Sequence, residues 1–305
     1  KEIYPWRILS DEGWKHHKDA GNWRYVFSKI AIKWLSFKKE KFMYLVDSHV
    51  HLEKGPLTKE YVLEFINEAI KNNIDELHIL DHTHRFKEFY HCYDELRDID
   101  IQNRWLSGKF RNSLDEYDEL IKEMKTMEFP IRVLYGLEVC YTPKSENMLK
   151  EVLKDRNYDF LIGSIHSVDS ILYDMGFSKE LLWEKYDTDL IYMHYYDAVK
   201  KLIRSDMFTS VGHMDNLKLF GYVPKRDMTA VYNEVAELMV KHKLLCEMNS
   251  GCFYRYGCKD IGLSDELLNI FKKKGVEFIT ASDAHNVSDV GKLIKETRER
   301  IESNV

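Results

Sequence analysis

One pattern constrains this chain more than any other. From Met43 onward, a short β-rich run and a charged segment of helical period alternate seven times. The runs are MYLVDSH (43–49), ELHILDH (76–82), IRVLYGLEV (131–139), FLIGSIH (160–166), TSVGHMD (209–215), LLCEMNS (244–250) and EFITASDAH (277–285). Apolar residues recur at helical spacing near 58–72, 113–128, 145–155, 180–205, 227–243, 264–274 and 289–303. Ser113 with Glu116 matches a capping box, and Ser264, followed by Asp265 and Glu266, matches a second helix start. Strands separated by helical crossovers pair in parallel, so seven units predict either a barrel or an open doubly wound sheet. No GxGxxG follows any run, which leaves the dinucleotide-binding form of the open sheet without support.

Two segments break the rhythm. Residues 83–112 are aromatic and charged (Phe86, Phe89, Tyr90, Tyr93, Trp105, Phe110) and too long for an ordinary connection, as expected of a lid or substrate wall. Residues 1–42 hold four of the six tryptophans, and 1–41 carry ten Lys/Arg against five Asp/Glu. They read as a basic, Trp-rich extension that packs on the main domain or is dispensable, with the domain itself spanning 43–305. No apolar stretch in the extension resembles a secretory signal, and no run of eighteen apolar residues predicts a membrane span. The whole chain has a formal charge of −6, so the part beyond the extension is the acidic part, at about −11. A general nucleic-acid or anionic-membrane binder is therefore disfavoured. Five cysteines without a CxxC pair predict reduced thiols and a cytoplasmic protein.

The chemistry lies where the runs end. The first closes on Asp47-Ser-His49-Val-His51, the second on Asp81-His82, and the third carries Glu138. The fourth ends in His166, the fifth in His213 and Asp215, the sixth in Glu247 and Asn249, and the seventh in Asp283 and His285. In a parallel βα barrel the C-terminal strand ends converge on one face. Residues i and i+2 of a strand point the same way, so His49 with His51, and Asp283 with His285, can each grip one cation. Imidazoles with carboxylates suit Zn, Fe or Mn, whereas Mg or Ca would favour oxygen alone. Six imidazoles and two or three carboxylates exceed the needs of one tetrahedral ion. Two or three divalent ions sharing a carboxylate fit the count, and such centres activate water and clamp phosphoryl oxygens.

The set DSHVH (47–51), LDH (80–82), GLE (136–138), FLIGSIH (160–166), GHMDNLKLFG (212–221), EMNSG (247–251) and SDAH (282–285) resembles the PHP family, named for its polymerase and histidinol-phosphatase members. The motifs run in family order over about 43–290, and the likeness is strongest to the stand-alone histidinol-phosphatases. The resemblance implies a distorted (β/α)7 TIM-like barrel with its metal site at the C-terminal strand ends. It also implies hydrolysis of L-histidinol phosphate, a small phosphorylated substrate of histidine biosynthesis. Carried over residue by residue, His49, His51, Glu138 and Asp283 would hold a first ion, and His82 and His285 a second. His166 and His213 would hold a third, with Glu138 bridging. The family commonly places a further ligand several residues after HxH, where this chain has Leu57. Glu53, two residues past His51, is the substitute expected here.

Phosphate requires cationic clamps, for which Arg255 and Lys218 are favoured because family members have basic residues in those loops. Arg85 is a further clamp candidate, and His91 is a candidate for the substrate pocket. Asp81, Asp215 and His84 are candidate proton donors, and Glu247 a candidate acidic wall for the cationic part of the substrate. Cys140 reads as a small packed residue. Two other readings compete: a related phosphoesterase acting on another small phosphomonoester or nucleotide, and a binding module that kept the fold without catalysis. The sequence leaves the oligomeric state open.

Overall fold

The computed structural model describes residues 43–303. The basic, Trp-rich segment lies outside the described residues. Seven parallel strands form one sheet in the order β1 (Val46–His51), β2 (Glu76–Leu80), β3 (Arg132–Cys140), β4 (Phe160–Ser164), β7 (Ser210–Val211), β8 (Leu245–Asn249) and β9 (Phe278–Ala281). A two-stranded antiparallel ribbon, β5 (Ser167–Val168) with β6 (Ile171–Leu172), follows the fourth barrel strand. The sheet closes on itself just past β9. There the Ala284 carbonyl accepts from His51 N–H at 2.8 Å, and Ala284 N–H donates to His49 at 3.2 Å. Asp47, fully buried, ties the same seam: its carboxylate accepts from Ser282 N, Ser282 Oγ and Gly291 N at 2.8, 2.6 and 2.7 Å. The expected barrel of seven βα units is the fold observed.

Helices follow the strands: α1 (Lys59–Lys71), α2 (Asp100–Leu106), α3 (Leu114–Met124), α4 (Glu146–Leu153), α5 (Thr188–Arg204), α6 (Thr229–His242), α7 (Gly251–Tyr256), α8 (Asp265–Lys274) and α9 (Ile294–Glu302). The Ser113 hydroxyl accepts Asp115 N–H at 3.2 Å and so caps the helix, while the Glu116 carboxylate accepts from Asn112 Nδ2 at 2.8 Å. The Ser264 hydroxyl makes no cap bond; its N–H donates to Asp215 Oδ2 at 2.6 Å. The fourth crossover helix begins at Thr188 rather than near 180. A π-helical turn occupies Lys179–Trp183, and the Asp187 carboxylate, by accepting from Asp189 N and Leu190 N, sets the start.

Strand alternation divides the interior. Leu77 and Ile79 of β2, Leu137 and Val139 of β3, and Cys246 and Met248 of β8 belong to the apolar layer between sheet and helices. Leu134, Phe160, Ile162 and Leu80 form a separate apolar cluster. At the N-terminal rim, Glu76 bonds His78 Nε2 at 2.6 Å, Tyr44 OH at 3.1 Å and Arg132 Nη1 at 3.0 Å. The His78 bond, working against burial, lowers the Glu76 carboxyl to about 2. Because the folded pKa lies below the unfolded one, this stabilisation is complete above the usual Glu range and is lost as pH falls toward 2. Glu76→Gln is expected to cost about 1–2 kcal/mol at pH 7 after allowance for solvent at the rim, with the gap to wild type closing in acid. Urea midpoints at pH 7 and pH 3 measure both; an equal gap at the two values would reject the assignment.

One expectation is corrected. Cys252 and Cys258 are joined in a disulfide, and Cys92, Cys140 and Cys246 are free. Six residues apart in sequence, Cys252 lies in the first turn of the short helix α7 and Cys258 just past its C-cap Gly257, which brings their Cα atoms to 5.6 Å.

Candidate metal centre

The polar strand ends meet around one carboxylate. Glu138, on β3, is fully buried. Its Oε1 lies 3.1 Å from His166 Nε2 and 2.7 Å from His213 Nε2. Its Oε2 lies 2.6 Å from His82 Nδ1, 3.5 Å from His49 Nε2 and 3.6 Å from His51 Nε2. The i, i+2 geometry of β1 brings His49 Nε2 and His51 Nε2 within 2.9 Å of each other. Asp283 Oδ1 faces both, at 3.8 and 3.3 Å. Glu53 enters from the loop after β1, 3.9 Å from His82 Nε2 and 3.5 Å from His285 Nε2. All nine residues named from sequence as ligands therefore converge.

Backbone and outer contacts hold these side chains. Asp283 and His213 adopt positive φ, +58° and +23°, a strained conformation characteristic of functional sites. Gly251 opens α7 directly against Asp283. A Cβ there would come within 2.9 Å of Asp283 Cβ and 2.8 Å of Arg255 Nη2, so the glycine of EMNSG permits the close approach. His49 Nδ1 bonds Glu247 at 2.8 Å and His166 Nδ1 bonds Asp174 at 2.8 Å, which leaves each Nε2 directed at the centre. Burial alone would lift the Glu138 carboxyl, but His82, His49 and His166 outweigh it and hold it well below the usual range. Asp283 behaves alike: Arg255 and His49 overcome its burial.

The donor set fits divalent metal. Among the described residues, three combinations of nitrogen and oxygen donors bring ligand atoms within 4.8 Å of one another: His49, His51 and Asp283; His51, His82 and His285; His82, Glu138 and His166. Glu138 Oε2 and His82 Nδ1 are buried and adjacent, yet neither is aligned for a hydrogen bond. Two buried ligand atoms held this close are an arrangement that a common cation would satisfy.

A cavity of about 230 Å³ opens onto the centre. Residues 83–112 supply one wall through Cys92, Tyr93, Glu95, Leu96, Trp105 and Lys109. Arg255 also lines it, with Nη2 2.5 Å from Asp283 Oδ2. Its Nη1 is 2.6 Å from His285 Nδ1, which is also 2.8 Å from the Asp283 carbonyl. A ring that keeps Nε2 free donates Nδ1–H to that carbonyl, so Asp283 is the true partner of the guanidinium.

Several sequence expectations are corrected. Lys218 bonds Asp215 Oδ2 and the Gly262 carbonyl, each at 2.9 Å, and lines a different pocket. Arg85 is buried, pairs with Asp81 at 2.5 Å and donates to the Leu52 and Gly55 carbonyls. His91 is exposed and pairs with Asp94 at 3.0 Å. Asp81 is buried against Arg85 and His82 N–H and lines no part of the cavity, so it cannot reach a leaving group there. Asp215 is held by Lys218 and Ser264 N–H, and Glu247 is fully buried beneath His49 and His213. Of the proposed donors, His84 alone reaches the cavity. Cys140 packs against the core as expected, and it also lines the cavity wall beside His82, His84 and His166. The sequence reading missed Asp174 and Lys109. Asp174 sits eight residues beyond His166, where no periodicity marks it, and Lys109 follows a glycine within the long insert.

Fold and site together define a βα-barrel protein built around a multi-ligand metal centre. The PHP-domain profile matches residues 47–251. The chain belongs to the PHP-domain family. A probable histidinol-phosphatase of Deinococcus radiodurans is 28% identical over 194 residues, covering 62% of this chain and 72% of that protein. A probable histidinol-phosphatase of Schizosaccharomyces pombe is 25% identical over 265 residues, covering 81% and 82%. The crystal structure of a histidinol phosphate phosphatase from Lactococcus lactis, complexed with zinc, L-histidinol and phosphate, superposes with a TM-score of 0.61 at 17% identity. That alignment covers 85% of this chain and 94% of the other, and the likeness is one of fold. Among the described residues, no helix is long and apolar enough to cross a membrane.

Proposed function

We propose that this chain is a metal-dependent phosphomonoesterase that hydrolyses L-histidinol phosphate to L-histidinol and phosphate. The observation that carries the reading is the buried convergence of six imidazoles and three carboxylates around Glu138, at the floor of a small-molecule cavity. The relatives named histidinol-phosphatase support the same substrate. The acidic and aromatic wall suits it as well: Glu95, Asp174, Tyr93 and Trp105 offer carboxylates and ring faces to a cationic imidazole and amine. A cavity of about 230 Å³ in the acidic part of the chain disfavours a polymer.

In this reading His49, His51, Glu138 and Asp283 hold a first ion, Glu53, His82 and His285 a second, and His166, His213 and Glu138 a third. Zn, Fe and Mn match the donors. When bound, the ions supply Lewis-acid charge for the phosphoryl oxygens and lower the pKa of water. The chain's own part is positioning. Glu247 and Asp174 fix the His49 and His166 rings. Arg255 and Lys109 face the phosphoryl group with positive charge. The insert 83–112 covers the site, within a catalytic domain assigned to 43–305 and distinct from 1–42. Acting on a small metabolite, the enzyme belongs in the cytoplasm.

The test is phosphate release from histidinol phosphate, other amino-alcohol phosphates and nucleoside monophosphates, alongside elemental analysis. Histidinol phosphate is expected to exceed the others by about 10²-fold or more in kcat/KM. Equal turnover across the panel would reject the substrate, and metal-loaded protein without turnover would reject the reaction. Glu53→Ala is expected to lose about one equivalent of metal and to lower kcat about 10–100-fold, since Glu53 is the carboxylate that faces both His82 and His285. Full metal content in that variant would remove Glu53 from the ligand set.

A further inference from the structure

Beside the centre stands a donor cluster that shares His82 with the second position and adds two donors, His84 and Cys140, that no position above uses. β3 ends at Cys140, two residues past Glu138, and the two side chains share a face. The turn after β2 carries His82 and His84, whose rings stack at 4.5 Å. One ring nitrogen from each and Cys140 Sγ all lie within 4.8 Å of one another. Cys140 is a free thiol. His84 is only 6% exposed, and its Nδ1 has no hydrogen-bond partner. Its other ring neighbours are Trp105 at 5.3 Å and Tyr93 at 6.3 Å. A buried imidazole kept for packing alone would bond at each nitrogen, because desolvating it unpaired is costly. An orphaned imidazole beside a thiol and a second imidazole is an arrangement that a metal ion would satisfy.

We propose that His82, His84 and Cys140 form a further, thiolate-containing metal position on the cavity wall, suited to zinc. Two imidazoles and one sulfur are a zinc donor set, and the cavity leaves the fourth coordination place open. Sulfur sets it apart from the positions around Glu138, which offer only nitrogen and oxygen. His82 also faces Glu53 and Glu138, so an ion held by Cys140 and His84 competes for His82 with the second position. The position fills last, after the nitrogen- and oxygen-only positions.

The proposal is read from sulfur and does not depend on the phosphatase assignment. Metal-free protein is titrated with Co²⁺ while near-ultraviolet absorption is recorded. A thiolate-to-cobalt charge-transfer band is expected to rise late in the titration, after the visible d–d bands of the other positions. It is expected to be absent from Cys140→Ser and weakened in His84→Ala. No such band in the wild type at saturating cobalt, or a band retained in Cys140→Ser, overturns the proposal. Should Cys140→Ser fail to fold, alkylation of Cys140 by iodoacetamide, followed by peptide mass spectrometry, decides it. Saturating Zn²⁺ is expected to slow the reaction at least about tenfold in the wild type and much less in His84→Ala. Unchanged alkylation in the wild type, or equal protection in both proteins, also overturns it.

Discussion

Glu138→Gln is expected to remove most bound metal and to lower kcat/KM about 10³-fold or more, equivalent to at least about 4 kcal/mol of transition-state stabilisation. The side chain keeps its size, so the effect isolates charge. Both carboxylate oxygens face ligand imidazoles: His166 and His213 on one, His82, His49 and His51 on the other. A carboxylate can serve two ions at once and balance the charge of the surrounding rings. An amide has one acceptor oxygen, and its NH2 group would confront a nitrogen meant for metal. The metal-free variant is also expected to melt below metal-free wild type near neutral pH, because the carboxylate that pairs with His82 and His49 is gone. Elemental analysis, calorimetry and steady-state kinetics on one preparation test all three consequences. A variant retaining two or more equivalents of metal and activity within tenfold of wild type would displace Glu138 from the middle of the centre.

The ligands were legible because strand geometry is periodic. Once the seven runs were recognised, their C-terminal residues had to share a rim, and alternation placed His49 with His51 and Glu53 within reach. Partner choice has no such period. Arg85 and Lys218 looked like phosphate clamps because they are basic and follow strands, yet Asp81 and Asp215 claim them from four and three residues upstream. Glu247 looked like a pocket wall because it closes a strand, but its side chain points beneath the ligands to orient His49. Asp47 belongs to the most recognisable motif of the chain and fastens the barrel seam through Ser282 and Gly291. In each case the residue type disclosed a charge, and only the fold disclosed what answers it.

Arg85 gives that distinction a measurable form. Its guanidinium is 5% exposed and donates to Asp81 Oδ2 at 2.5 Å, Asn112 Oδ1 at 3.0 Å, the Leu52 carbonyl at 2.8 Å and the Gly55 carbonyl at 2.7 Å. Arg85→Met keeps much of the buried stem and removes every donor. Asp81 would then be a buried carboxylate left with His82 N–H, and the Leu52 and Gly55 carbonyls would each lose this donor. Breaking a buried pair from one side costs about 3–5 kcal/mol. For a domain of this size the melting temperature should fall by about 10 °C. Replacing Asp81 as well, in Asp81→Asn/Arg85→Met, is expected to recover part of the loss, because no uncompensated charge remains. Leu52 and Gly55 bracket Glu53, so the same substitution should loosen the second metal equivalent while the ions held by His49, His51 and Glu138 stay bound. A phosphate clamp predicts the opposite pattern, with KM raised and melting unchanged, and that outcome in Arg85→Met would return the residue to the substrate.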